Sequence, residues 1–205
     1  MISVEKIQFQ KLNGLIPACI QHVETSEVLM IGFMNREAVE KSIAIKQVTF
    51  WSRSRNALWT KGESSGNILH IESMSLDCDQ DSLLIEVTPS GPTCHIGTVS
   101  CFPRDQLKGV GWYANLSDRL DSRLRSPNSD SYTSHLIAQG ERRLAQKVGE
   151  EGLEVALSAV AGSDEEFIGE CADLLFHSLL LLKCKKIPVT KVTDVLRKRF
   201  LRTPT

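Results

Sequence analysis

The segment Asp77–Cys101, DCDQDSLLIEVTPSGPTCHIGTVSC, constrains what this chain can be more than any other. It places Asp77, Asp79 and Asp81 together with Cys78, Cys94, Cys101 and His95 in one short run. On an extended backbone alternate side chains share a face. The three aspartates are therefore expected on one side and Cys78 on the other. A strand-like run, Leu83–Val87, and a turn at Pro89-Ser90-Gly91-Pro92 separate the aspartates from the later cysteines. Three carboxylates facing one way suit a hard cation such as Mg²⁺. Three thiolates suit Zn²⁺ and leave a fourth position for water, as a catalytic zinc site requires. Each group alone has a plainer reading, as solvated strand-end aspartates or as small buried hydrophobes. Interleaved, they point to a metal site. An EF-hand is excluded, because its glycine position would hold Ser82 and its closing glutamate position Thr88.

The strings DCDQDSLL and GPTCHIGTVSCF resemble phosphoribosyl-AMP cyclohydrolase of histidine biosynthesis. The resemblance implies that Cys78, Cys94 and Cys101 hold zinc, shared across a dimer, and that Asp77, Asp79 and Asp81 hold Mg²⁺. Residues 51–67, WSRSRNALWTKGESSGN, combine Arg53, Arg55 and Lys61 with hydroxyl side chains, Gly62 and Gly66. Arginine forks and exposed backbone amides suit a phosphate-bearing ligand; the plain alternative is a basic, polar loop. The same stretch is similar to the family's substrate-binding segment. That likeness implies substrate contacts for Trp51, Ser52, Arg53, Ser54, Arg55, Trp59, Lys61, Gly62 and Ser65. His95, directly after a proposed zinc ligand, and Lys61 are the candidate catalytic side chains. The likeness runs through VLMIGFMNREA and covers about residues 10–105. It departs at His22, where the family more often has an acidic residue, and at Ser26, commonly glycine; both affect local turn detail.

The bulk composition excludes several classes. With 205 residues and 41% hydrophobic content the chain can bury a core, in one large or two small domains. A net charge of −1 gives no electrostatic case for nucleic acid or an anionic membrane. No apolar run approaches the ~18 residues of a membrane span. The start, MISVEKIQFQKLNG, carries charges where a signal peptide needs its apolar core. A cytoplasmic protein with reduced thiols is expected. Cys19, Cys171 and Cys184, in apolar surroundings, are then expected in the core.

Residues 14–34 read as two strands around a polar turn at Glu24–Glu27, and Asn35 is placed to cap a short helix. Val48–Ser52 and ILHIESM read as further strands; His70 on the latter has no assigned role. Residues 104–116 show two glycines and no periodicity, which suggests a linker. Leu116–Leu124 is helical in spacing, SPNSDSYTS at 126–134 breaks the pattern, and the remainder is helical. The expected architecture is an α+β, β-rich domain over 1–105, a linker over 106–115, and an all-α bundle over 116–205.

A second acidic constellation lies in that helical half. Glu151 and Glu154 stand at i, i+3 on one helix, and Glu170 and Asp173 repeat the spacing on another. Like charges at that spacing destabilise an isolated helix by roughly 0.2–0.5 kcal/mol per pair. LLFHSLLLL, which follows, is too apolar for a free surface helix, so Glu170 and Asp173 border a buried face. Carboxylates there need a cation or hydrogen-bond donors. Asp164, Glu165 and Glu166 are instead read as a first helical turn, with Ser163 and Glu166 forming a capping box. The E-x-x-E and E-x-x-D pair, preceded by QKVGEE and by Ser131–Thr133, resembles phosphoribosyl-ATP pyrophosphatase, of the all-α MazG type. The likeness covers about residues 116–203. It implies Mg²⁺ on Glu151, Glu154, Glu170 and Asp173. Lys147, with Arg142 and Arg143 one turn back, is a candidate phosphate contact. The final helix puts Val192, Val195 and Leu196 at core spacing, and His135 and His177 read as packing or surface residues.

The two resemblances name consecutive steps of one pathway. The expected function is bifunctional. The C-terminal half would cleave phosphoribosyl-ATP to phosphoribosyl-AMP and pyrophosphate. The N-terminal half would then open the adenine ring, with zinc lowering the pKa of water from ~15.7 towards 7. Nucleotide substrates and a homodimer are the expected partners. Three alternatives stand beside this reading. A zinc nucleobase deaminase normally carries Cys-x-x-Cys and a nearby glutamate, whereas six residues separate Cys94 from Cys101. A structural zinc module would close its site, with His95 as fourth ligand. Finally, one half could be active while the other serves as a dimerisation scaffold.

Overall fold

The computed structural model describes residues 2–104, 109, 111–126 and 131–201. Two compact units form, Met1–Trp112 and Tyr113–Thr205. The first is β-rich and the second helical.

In the first unit, β1 (Ile16–His22) and β2 (Val28–Met34) form an antiparallel pair, with Ile16 opposite Met34. Next come α1 (Arg36–Ile45), β3 (Thr49–Ser52), β4 (Ala57–Thr60), β5 (Leu69–Leu76) and β6 (Leu83–Pro89). The main sheet has the order β2-β1-β6-β5, with β1 and β6 parallel and the other pairs antiparallel. Alternation builds its inner face. Ile16, Ala18 and Ile20 of β1 and Leu83, Ile85 and Val87 of β6 are buried, and they pack with Leu29, Met34, Ala38, Val39, Val48 and Phe50. Each large aliphatic side chain so buried contributes about 1.5–3 kcal/mol before entropy is counted. Asn35 caps α1 as its position requires, its Oδ1 accepting the Ala38 amide at 2.8 Å. The buried Ser42 hydroxyl donates to the Ala38 carbonyl at 2.7 Å and accepts the Thr49 amide at 2.8 Å, which ties α1 to β3.

Several expectations are corrected here. The stretch expected as one basic loop contains β4, paired with β3 as a hairpin from Thr49–Thr60 to Ser52–Ala57. Asp77–Ser82 is a turn between β5 and β6, not extended chain, and Gln80 adopts φ 64° within it. The alternation argument for the aspartates therefore does not apply. Cys19, Cys171 and Cys184 are only partly buried.

The helical unit comprises α2 (Gly111–Arg125), α3 (Tyr132–Ala138), α4 (Glu141–Ala161), α5 (Asp164–Cys184) and α6 (Val189–Leu201). Residues 111–115, expected in the linker, are thus helical, and 105–108 and 110 lie outside the described residues. The expected break at 126–134 falls partly on 127–130, also outside them, while Tyr132–Ser134 are already helical. Leu120, Leu136, Leu144, Leu179 and Leu180 form the core. Gly162 and Ser163 alone separate α4 from α5, so the two helices run back along each other. Ser163 and Glu166 form the expected capping box, with the Ser163 amide donating to Glu166 at 2.7 Å and the Glu166 amide donating to Ser163 Oγ at 3.2 Å. Val192, Val195 and Leu196 are not core within one chain; each is more than 40% exposed. Among the described residues no helix is long and apolar enough to cross a membrane.

Candidate functional sites

The β5–β6 turn gathers the aspartates by a different route from the one alternation suggests. Asp77 Oδ1 accepts the amides of Asp81 at 3.0 Å and Ser82 at 3.1 Å, folding the turn back on itself. Desolvation pushes the Asp77 carboxyl up, but those amides outweigh it and hold it below the usual aspartate range. Carboxylate oxygens of Asp77, Asp79 and Asp81 come within 4.8 Å of one another. Lys11 reaches into this group. Its Nζ donates to Asp79 Oδ2 at 2.7 Å, Asp81 Oδ2 at 2.9 Å and the Asp79 carbonyl at 3.2 Å. Hydrogen bonds to Asp79, then to Asp81, hold the ammonium well above the usual lysine range. A positive charge at the centre of three oxygens is the place a hard cation would take. Lys11 carries no sequence signal, because it lies 68 residues from Asp79.

The thiols meet only in part. A turn from Thr93 to Val99, closed by the Cys94 amide donating to the Thr98 carbonyl at 3.0 Å, carries Cys94. Cys101 is anchored by its own amide to the Leu29 carbonyl at 2.8 Å. The Cys101 thiol hydrogen-bonds Cys94, so the two sulfurs are neighbours. The Ile96 amide, the largest influence on Cys94, holds its thiol below the usual range against desolvation. Desolvation of the sulfur, then the bond to Cys94, holds Cys101 above it. Of the two sulfurs, Cys94 is thus the more readily ionised. Cys78 is exposed on the aspartate turn. Among the described residues no third ligand atom completes a cluster with Cys94 and Cys101 in a single chain. His95 is exposed, with Nδ1 3.8 Å from Cys94 Sγ.

The basic segment approaches the thiols through Lys61. Trp51 and Ser52 lie on β3, Trp59 on β4, and Arg53, Ser54 and Arg55 at the hairpin tip. Arg53 stacks 4.1 Å above the Phe33 ring and Arg55 5.8 Å from Trp59. Neither has an acidic partner among the described residues. Lys61 is buried beside Trp59, and its charge draws the Cys101 thiol down, against the larger upward effects. Ser65 Oγ accepts the Asn67 amide at 3.3 Å. Gly62 has φ 89°, and a Cβ there would run into the Asn67 backbone and lie 2.6 Å from the Ile68 nitrogen. Gly62→Ala is expected to destabilise the protein by about 1–3 kcal/mol. Thermal melting checks this.

The second acidic site forms between α4 and α5. Oxygens of Glu151, Glu154 and Glu170 come within 4.8 Å of one another. Glu151 is buried. Its carboxylate takes the Lys147 ammonium at 2.5 Å, and Lys147 also reaches Glu150 at 3.2 Å. Lys147, expected to face substrate, is therefore paired within the chain, chiefly with Glu151, and held above its usual range. Glu154 is held above the usual carboxylate range, first by desolvation and then by the charges of Glu151 and Glu170. Asp173 stands apart from the three-glutamate group. It lines a cavity of about 420 Å³ with Tyr132, Lys147, Glu151, Phe176 and His177. His177 was expected as an ordinary packing or surface residue; it is buried in this cavity wall, Nδ1 3.6 Å from Glu151 Oε1. Its helical spacing from Asp173 was visible in the sequence, but the approach to Glu151 on another helix was not.

The family profile described as phosphoribosyl-AMP cyclohydrolase matches residues 30–103, and the one described as phosphoribosyl-ATP pyrophosphohydrolase matches residues 113–200. The chain is 48% identical over 197 residues to the histidine biosynthesis bifunctional protein HisIE of Vibrio cholerae, covering 95% of this chain and 94% of that protein. It is 45% identical to the HisIE of Haemophilus influenzae, covering 97% and 94%. It is 44% identical to that of Bacteroides thetaiotaomicron, covering 97% and 98%. With the thiol pair and aspartate turn inside the first matched span, and the three-glutamate cluster inside the second, the chain belongs to the bifunctional histidine-biosynthesis family that joins phosphoribosyl-AMP cyclohydrolase to phosphoribosyl-ATP pyrophosphohydrolase.

Proposed function

We propose that the two activities divide at about residues 105–116, with ring opening in the N-terminal half and pyrophosphate release, on a MazG-like helical bundle, in the C-terminal half. The observation that carries this is the presence of two separate acidic clusters, one in each compact unit.

In the N-terminal half, Cys94 and Cys101 of one chain and Cys78 of a second would hold Zn²⁺. The donor set fits: soft sulfur ligands, one already disposed to be a thiolate. Sharing accounts for the exposed Cys78 that no thiol meets in its own chain. A homodimer is further supported by the outer sheet face, where Ile31, Cys19 and Leu84 stand in register and Ile31 is 55% exposed. When bound, zinc would supply an activated water to the adenine ring. The exposed Arg53 and Arg55 receive the phosphates, Trp51 and Trp59 shape the apolar side, and Ser52, Ser54, Gly62 and Ser65 offer hydroxyls and backbone. Buried Lys61 places a fixed positive charge beside the thiols. His95 moves the proton as the ring C–N bond breaks.

Asp77, Asp79 and Asp81 would hold Mg²⁺ to position the nucleotide, and the Lys11 ammonium on Asp79 and Asp81 supports the fit to a cation. Lys11 must give way when a divalent ion enters. Lys11→Met is therefore expected to bind Mg²⁺ or Mn²⁺ a few-fold more tightly, roughly 3–10-fold, by calorimetric titration; weaker binding would show that Lys11 supports the site instead.

In the C-terminal half, Glu151, Glu154, Glu170 and Asp173 would hold Mg²⁺ against the triphosphate. Such an ion would supply charge neutralisation at the phosphates and a place to orient water. Lys147 then has a triphosphate to meet in place of Glu151. The chemistry and the reduced thiols fit a cytoplasmic enzyme. Product analysis with phosphoribosyl-ATP tests the division: pyrophosphate must appear before ring-opened product, and each must be lost separately.

A further inference from the structure

The cavity beside the glutamate cluster has one wall that the metal reading does not use. Tyr132, the first residue of α3, is 60% exposed, yet its hydroxyl lies 3.3 Å from His177 Nε2. His177 is buried, with Nδ1 2.8 Å from the Asp173 carbonyl. A carbonyl only accepts, so Nδ1 carries the hydrogen, and in the neutral imidazole Nε2 is left to accept from the phenol. Phe176 stands edge-on to the imidazole at 5.1 Å, which fixes the ring further. Tyr132 itself meets His177 edge-on at 6.3 Å. An exposed aromatic side chain is thus tied by its hydroxyl to a buried residue, beside Lys147 and the carboxylates.

We propose that Tyr132 is a substrate-contacting residue whose ring stacks on the adenine base of phosphoribosyl-ATP, and that His177 is the positioning residue that holds it there. The proposal rests on the carboxylate cluster being the site of pyrophosphate release. The substrate chemistry matches the three walls. A triphosphate needs cations, which the glutamates and Lys147 recruit or supply, and a purine needs an aromatic surface. His177 also joins the two requirements, because the same imidazole bonds the turn of α5 that carries Asp173. Base and metal subsites are then fixed relative to one another through one ring.

The test uses the full chain with phosphoribosyl-ATP as substrate. Tyr132→Ala is expected to raise KM about tenfold, the loss of one base–aromatic stack, with kcat and the Mg²⁺ requirement little changed. Tyr132→Phe keeps the ring and loses the tether. His177→Asn keeps a nitrogen for the Asp173 carbonyl and loses Nε2. Both are expected to raise KM by about threefold, and the double variant by no more than either alone. Additive effects, or an unchanged KM in Tyr132→Ala, overturn the proposal. So does a collapse of kcat and metal affinity with KM unmoved, which marks a purely structural role. If Tyr132→Ala melts early, Tyr132→Trp carries the test: retained or lower KM supports stacking, and a tenfold rise contradicts it. Glu154→Gln, measured in parallel, separates the two readings. Lost pyrophosphate release there with normal KM in Tyr132→Ala sinks this inference alone, whereas retained release sinks the site assignment beneath it.

Discussion

Cys94→Ser is expected to cut ring opening of phosphoribosyl-AMP by about 10³-fold or more and to leave pyrophosphate release from phosphoribosyl-ATP intact. The size follows from what a Lewis-acid metal supplies. Several kcal/mol of transition-state stabilisation is lost with it, and each 1.36 kcal/mol is a factor of ten. The intact second activity follows from the distinct units in which the thiols and glutamates lie. The shared-site reading adds a sharper result. Cys78→Ser and Cys94→Ser are each expected to be inactive alone. Mixed under conditions that exchange subunits, they should recover about a quarter of wild-type ring opening, because half the dimers are mixed and one of their two sites is whole. Isotope-free product assay by absorbance suffices. No recovery in demonstrably mixed dimers would place all three sulfurs in one chain after rearrangement.

Glu154→Gln carries the second large effect. It is expected to cut pyrophosphate release by about 10³-fold and to leave ring opening of added phosphoribosyl-AMP unchanged. Stability separates a metal role from a structural one. Glu154 is held above its usual range by desolvation and then by Glu151 and Glu170. A carboxyl raised on folding binds its proton more readily in the native state. Its charged form therefore opposes folding above the unfolded pKa, and that cost is relieved as pH falls through the folded pKa. Removing the charge should keep or raise the metal-free melting temperature. Mg²⁺ binds the native state of the wild type and should raise its melting temperature; that rise should shrink in Glu154→Gln. A variant that melts low with or without Mg²⁺ would make Glu154 a packing residue.

The family was legible in residue types and spacing, whereas the geometry was legible only where it is local. Asn35 and the Ser163–Glu166 box act within one helical turn, and the sequence locates them correctly. Asp77, Asp79 and Asp81 do come together, but through amides donated to Asp77 in a turn rather than by strand alternation. The hairpin strand β4 was hidden because Trp59 and Thr60 sit among loop-forming serines, glycines and arginines, and its pairing with β3 is a tertiary choice. Lys11 and His177 owe their places to contacts across the chain, with Asp79 and with Glu151, and periodicity carries no such information. Apolar residues on α6 obey core spacing, yet the spacing does not say whether the surface they cover belongs to the same chain.

Two activities in series on one chain call for two chemically separate centres. The most direct measurement follows phosphoribosyl-ATP through wild-type, Cys94→Ser and Glu154→Gln proteins by product analysis, with zinc content determined on each. Pyrophosphate and ring-opened product are expected from the wild type. Zinc-depleted Cys94→Ser should release pyrophosphate and accumulate phosphoribosyl-AMP. Glu154→Gln should retain zinc and release nothing until phosphoribosyl-AMP is added. Ring-opened product from zinc-free Cys94→Ser, or loss of both activities in either correctly folded variant, would contradict it.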